Sequence, residues 1–158
     1  MLVAIALIAA ITPVAAASMT GPITGSGTGV VSSGGGLDPI GDGRFRVSGR
    51  EYQARFSSDD PGGCFRGSIR ISEEAILSVP HYAGTHEGAM VIQGDAGTLQ
   101  LQYRGSVDRY NGKGNWWVVR GTSACADVHG MGTYVTSLRT APDLEYRLEL
   151  RGQVGHGD

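Results

Sequence analysis

Three short stretches of this chain carry residue types able to do chemistry. The first is His81-Tyr82-Ala83-Gly84-Thr85-His86-Glu87, with two imidazoles five residues apart beside a carboxylate. A strand-borne metal site wants two histidines one residue apart, so both point the same way, with an acid some residues on. This spacing does not match, and no metal is expected. The stretch reads instead as a polar, flexible loop at a rim, where Tyr82, His86 and Glu87 would be the first residues to meet a ligand.

The second stretch is Asp127-Val128-His129. On an extended segment, residues two apart point the same way, so Asp127 could orient His129 as a general base. A serine nucleophile is not supplied: there is no Gly-x-Ser-x-Gly elbow, and Thr122-Ser123 after a strand lacks its context. The third is Trp116-Trp117, whose side chains must face opposite sides of a strand. One belongs to a core; the other lies outside or lines a cavity, where it could stack on a ligand or a sugar ring. Gly130-Met131-Gly132 has neither a following helix nor a nearby lysine, so it is no phosphate cradle. Asp38, Asp42, Asp59 and Asp60 sit among glycines without the spacing of a calcium loop and are read as turn formers. No catalytic residue can be named on this inventory, and no cofactor is expected.

Thirteen basic residues against fifteen acidic give a formal charge of −2 in 158 residues. The arginines are dispersed and Lys113 is the sole lysine, so the basic stripe of a nucleic-acid binder is missing. Met1 to Ala17 is an uncharged apolar run ending in Ala15-Ala16-Ala17. It reads as a secretory signal peptide over residues 1–17, too short for a membrane span, which needs about 20 residues. The expected destination is the exterior, the periplasm or the cell surface, with no span left after cleavage. In such a compartment the only two cysteines, Cys64 and Cys125, read most simply as one disulfide.

The elements that would position these residues follow from period 2. Phe65, Gly67, Ile69 and Ile71 alternate with polar neighbours, as do Leu99, Leu101 and Tyr103, and then Leu144, Tyr146, Leu148 and Leu150. Phe45 and Val47 fall in one parity and Tyr52, Ala54 and Phe56 in the other, which places a bulge at Ser48-Gly49. Further strands are expected near 75–79, 88–93, 115–120 and 131–138, and Glu73 to Leu77 could form at most one helical turn. Turn signals stand at 59–63, 94–97, Asn111-Gly112 and 141–143. Residues 18–43, rich in glycine, serine and threonine, read as a flexible leader, in which Ile23 to Val31 could add one loose strand, before a domain over 44–158. The sum is an all-β fold: a small closed antiparallel barrel of about eight strands pinned by one disulfide.

Gly94…Gly97-Thr98-Leu99, Tyr103-Arg104-Gly105, Asn115 to Thr122 and Gly130-Met131-Gly132 together resemble the allene oxide cyclase-like barrel superfamily, which includes dirigent proteins. Ser123 stands where that pattern usually has a turn glycine. The resemblance covers 88–134. It implies an eight-stranded barrel whose interior can hold a small hydrophobic molecule, with cyclase members closing rings without a cofactor and dirigent members steering radical coupling. None of their catalytic residues maps onto a position here.

The expectation is therefore a non-enzymatic module that binds a small apolar ligand or docks on a surface. The alternative is a cofactor-free cyclase or isomerase acting on a hydrophobic substrate inside the barrel. Phe45, Phe56, Phe65, Tyr103 and Tyr146, with one tryptophan, supply much aromatic volume for one lumen, so any cavity should be small or open at one end.

Overall fold

The computed structural model describes residues 19–139 and 144–157, with side chains from 21 onward. The signal-peptide reading and the 141–143 turn lie outside the described residues.

Alternation of apolar and polar residues lets a strand bury one face, and eight such strands run in sequence: β1 (Met19–Gly41), β2 (Arg44–Ser58), β3 (Gly67–Ser78), β4 (Ala83–Gly94), β5 (Gly97–Asp108), β6 (Asn111–Gly121), β7 (Val128–Arg139) and β8 (Glu145–His156). Each pairs antiparallel with the next, and β1 pairs with β8, so the sheet closes as an up-and-down barrel. Closure leaves no free edge for another chain to extend. A single 3₁₀ turn, Ser123–Cys125, links β6 to β7. There Ser123 adopts φ +56°, the conformation glycine would take in the resembling turn.

The disulfide is formed: the Cys64 and Cys125 Cα atoms lie 5.7 Å apart. It ties the loop before β3 to the 3₁₀ turn, at the end of the barrel where β1 starts and β8 finishes. Asp60 organises the same loop. It is buried, accepts hydrogen bonds from the Cys64 and Phe65 amides at 2.8 and 3.3 Å, and contacts His156 Nε2 at 2.9 Å. Asp60 is thus the turn former the sequence implied.

Leu99, Leu101, Tyr103, Tyr146, Leu148 and Leu150 all point inward. Leu144 does not: it precedes β8 and is exposed, so the alternation starts one step later than expected. The parity switch on β2 is a register shift between Val47 and Arg50 with Gly49 at φ +68°. Glu73 to Leu77 forms no helical turn and continues β3. The Asn111-Gly112 turn is displaced: Asn111 already pairs with Asp108, and Arg109-Tyr110 make the bend. Gly130 and Gly132 lie within β7 and not in a turn.

The largest correction concerns residues 18–43. The reading of a flexible leader fails because Met19–Gly41 is β1, which closes the barrel between β2 and β8. Gly25 and Gly27 face inward, and the aromatic bulk over them comes from the paired strand β2. A Cβ on Gly25 would stand 2.6 Å from Phe56 Cζ, and one on Gly27 would stand 3.0 Å from Phe56 Cδ2. Glycine here is space for Phe56, not slack in the chain.

Candidate functional site

The interior is layered. Toward the disulfide end, Phe65, Trp116, Ile69, Ile92, Leu99 and Leu150 belong to one large apolar cluster. Near the other end Val47, Ala75 and Leu77 form a second, small one with Val107. Between them lies a polar belt, which an apolar barrel would not need.

Glu73 is its centre. It falls in the inward parity of β3, between Ile71 and Ala75, and is buried with them. Its carboxylate accepts from the Tyr52 hydroxyl at 3.0 Å and from an Arg50 guanidinium N–H at 3.2 Å, both on Oε1. His86 Nδ1 lies 2.8 Å from Oε2, and His86 Nε2 lies 2.6 Å from the Tyr134 hydroxyl. Nδ1 donates its hydrogen to the Glu73 carboxylate, and Nε2 and the Tyr134 hydroxyl share the second hydrogen bond. Tyr103 leans edge-on to His86 and Tyr134, and Tyr52 stacks on Tyr146 with ring centroids 4.2 Å apart. Gly112 on β6 leaves the room, since a Cβ there would sit 2.6 Å from the His86 ring. Among the described residues no buried side-chain nitrogen or oxygen lacks a partner.

The electrostatics of the belt agree with its geometry. Burial alone would raise the Glu73 carboxyl, but the hydrogen bond and charge of His86, the Arg50 guanidinium and the Tyr52 hydroxyl outweigh it and hold the group below its ordinary range. Burial pushes the hydroxyls of Tyr52, Tyr103, Tyr134 and Tyr146 up, and the Glu73 charge adds to each. They therefore stay protonated and able to donate.

Of the residues proposed from sequence for a rim, the sheet separates rather than gathers them. Tyr82 is exposed in the β3–β4 turn with φ +51°. His81 is exposed nearby. The expected loop over 81–87 ends at Ala83, where β4 begins, so His86 points into the belt and Glu87 points out. Trp116 is fully buried and donates from Nε1 to the Thr133 carbonyl at 3.0 Å, while Trp117 is 37% exposed on the outer face. Asp127 does not orient His129 through its carboxylate: the contact is from the imidazole to the Asp127 backbone oxygen, at 3.4 Å on an exposed segment.

Glu87 and Trp117 do share one groove, on the outside. A groove of about 890 Å³ crosses the outer face of β3–β6, lined among others by Glu74, Ile76, Glu87, Arg104, Asn115 and Trp117. A neighbouring one of about 570 Å³ shares Glu74, Glu87, Arg104 and Trp117 and adds Gln102. Arg104 pairs with Glu87 at 2.9 Å.

Sequence reasoning missed Arg50, Tyr52, Glu73 and Tyr134. A signal was present for Glu73, because Ile69, Ile71, Glu73, Ala75 and Leu77 share one parity. A carboxylate in an inward position implies an inward partner. What hid it was the helical reading of Glu73-Glu74-Ala75.

No protein-family model matches the chain, and no curated protein matches it. Among solved structures, the chain is similar to that of a pterocarpan synthase dirigent protein, with 12% sequence identity and a TM-score of 0.37, over 96% of this chain and 98% of that one.

Proposed function

We propose that this protein is an exported, non-enzymatic binding module whose ligand surface is the outer groove of β3–β6. The observation that carries the reading is the contrast between inside and outside. The lumen is occupied by side chains from Trp116 and Phe65 at one end to Leu77 at the other, all buried. The room for a ligand lies across the sheet, where Trp117 remains partly open. An eight-stranded barrel is just wide enough to be filled by its own side chains, and this one uses that option. The disulfide favours an oxidising compartment, in line with export.

A fragment screen read by backbone amide chemical shifts tests the site. Perturbations gathered on Glu74, Glu87, Arg104 and Trp117 are expected. Shifts confined to Tyr52, Met90 and Leu148 would move the site into the lumen and refute the reading.

One observation favours a second reading, that of a cofactor-free cyclase or isomerase. The Glu73–His86–Tyr134 relay is built as an oriented acid–base group, with a carboxylate fixing the imidazole tautomer and a phenol on the far nitrogen. In that case a small hydrophobic substrate enters past Val47, Leu77 and Val107, and His86 exchanges a proton with it through Tyr134. Binding of an apolar dye that Val47→Trp abolishes while the fold survives is the expected signature. Absence of any dye binding removes this reading.

A further inference from the structure

We infer that the outer groove takes a neutral carbohydrate chain, an inference that rests on the groove, and not the lumen, being the binding surface. Strand register sets the layout. Glu87, Arg104 and Asn115 face one another across β4, β5 and β6, and Gln102 pairs with Trp117 one pleat along. Adjacent strands lie about 4.8 Å apart and alternate residues about 6.8 Å apart, so these five side chains cover a patch of roughly 10 by 7 Å. That is the footprint of one or two pyranose rings.

The side-chain chemistry suits a polyhydroxylated ligand and little else. A sugar ring has an apolar C–H face and a rim of hydroxyls that both donate and accept. Trp117 stands on the outer face of β6 with 37% of its surface open, which supplies an aromatic platform. The Glu87–Arg104 pair sets a carboxylate and a guanidinium side by side at 2.9 Å, with further lone pairs and N–H groups left to serve a hydroxyl. Asn115 and Gln102 add amides that donate and accept.

Charge narrows the class further. The larger groove is lined by Glu74 and Glu87 against Arg46 and Arg104, a balance that favours neither an anionic nor a cationic ligand. The same charges make it a poor seat for a lipid tail. Glu74 stands directly opposite Glu87 across β3 and β4, a like-charge pairing that disfavours the sheet itself. A surface that tolerates such a pair gains from a ligand whose hydroxyls donate to both carboxylates. Finally, the two grooves share four residues and run into one another, so the occupant is a chain and not a single ring.

The test is affinity electrophoresis of the full-length protein through gels containing β-glucan, xylan, mannan or glycol chitin, followed by calorimetry with the corresponding hexasaccharides. Retardation by at least one of these is expected. Trp117→Ala should weaken binding by at least about ten-fold, as loss of an aromatic anchor does, while Trp117→Tyr retains most of it. Thermal melts of both variants establish that the barrel is intact. Affinity should also hold as salt is raised, because no net charge is neutralised. No retardation in any of the four gels, or binding indifferent to Trp117→Ala, overturns the carbohydrate assignment. If fragments still shift Glu87 and Trp117 in that event, the groove remains the binding surface for another class. If no probe shifts them, both readings fall.

Discussion

His86 Nδ1 lies 2.8 Å from Glu73 Oε2, with 1% and 8% of the two side chains exposed. The residues are thirteen apart in sequence and sit on adjacent strands, one pleat out of register. A charge held this deep persists because both of its oxygens are hydrogen-bonded: Arg50 and Tyr52 take one oxygen and His86 the other. Whatever the belt's role, the interior is specified by this network as much as by its apolar layers.

The depressed Glu73 carboxyl makes stability depend on pH in a defined direction. A group whose folded value lies below its unfolded one, here ordinarily 4.5, stabilises fully above that value. The contribution is lost as pH falls from there through the lower folded value. Denaturant titrations of the wild type should show this acid loss, and Glu73→Gln should flatten it. An acid limb unchanged by the substitution would show that other carboxylates govern it.

Leu101 is fully buried and Gln102 beside it is exposed. Leu101→Ala should cost about 2–5 kcal/mol, whereas Gln102→Ala should stay within about 0.5 kcal/mol. Equal effects in urea unfolding would contradict the register of β5.

Strand β1 can be checked through its glycines. Gly25→Val forces a side chain into the Phe56 ring and should destabilise by about 1–3 kcal/mol, while Gly21→Ala meets nothing within 4 Å and should be nearly neutral. A flexible leader would tolerate both alike, so indifference to Gly25→Val would detach β1 from the barrel.

The Cys64–Cys125 bond closes a loop with a sequence separation of 61 residues. On chain-entropy grounds its removal by Cys64→Ala with Cys125→Ala should cost about 4 kcal/mol. Non-reduced protein should also resist alkylation after unfolding, and free thiols there would mean the bond does not form.

Much of this protein was legible along the chain, because alternation is a local property. Whether Leu148 faces in or out is decided by its neighbours at 147 and 149, and the sequence alone implied an eight-stranded barrel with its disulfide. The exceptions share a cause. Residues 19–41 read as a linker because the reason for Gly25 and Gly27, the Phe56 ring, sits on another strand. Leu144 was misassigned because an apolar residue beyond the strand end continues the same parity. The belt depended most on tertiary structure. Arg50, Glu73, His86 and Tyr134 come from four strands, and only the register between those strands brings their polar atoms within hydrogen-bonding distance. The alternation of β4 puts His86 and Glu87, adjacent in sequence, on opposite sides of the wall, one in the belt and one in the groove. A strand's period fixes which side a residue takes; which distant residues share that side is fixed by how the strands align.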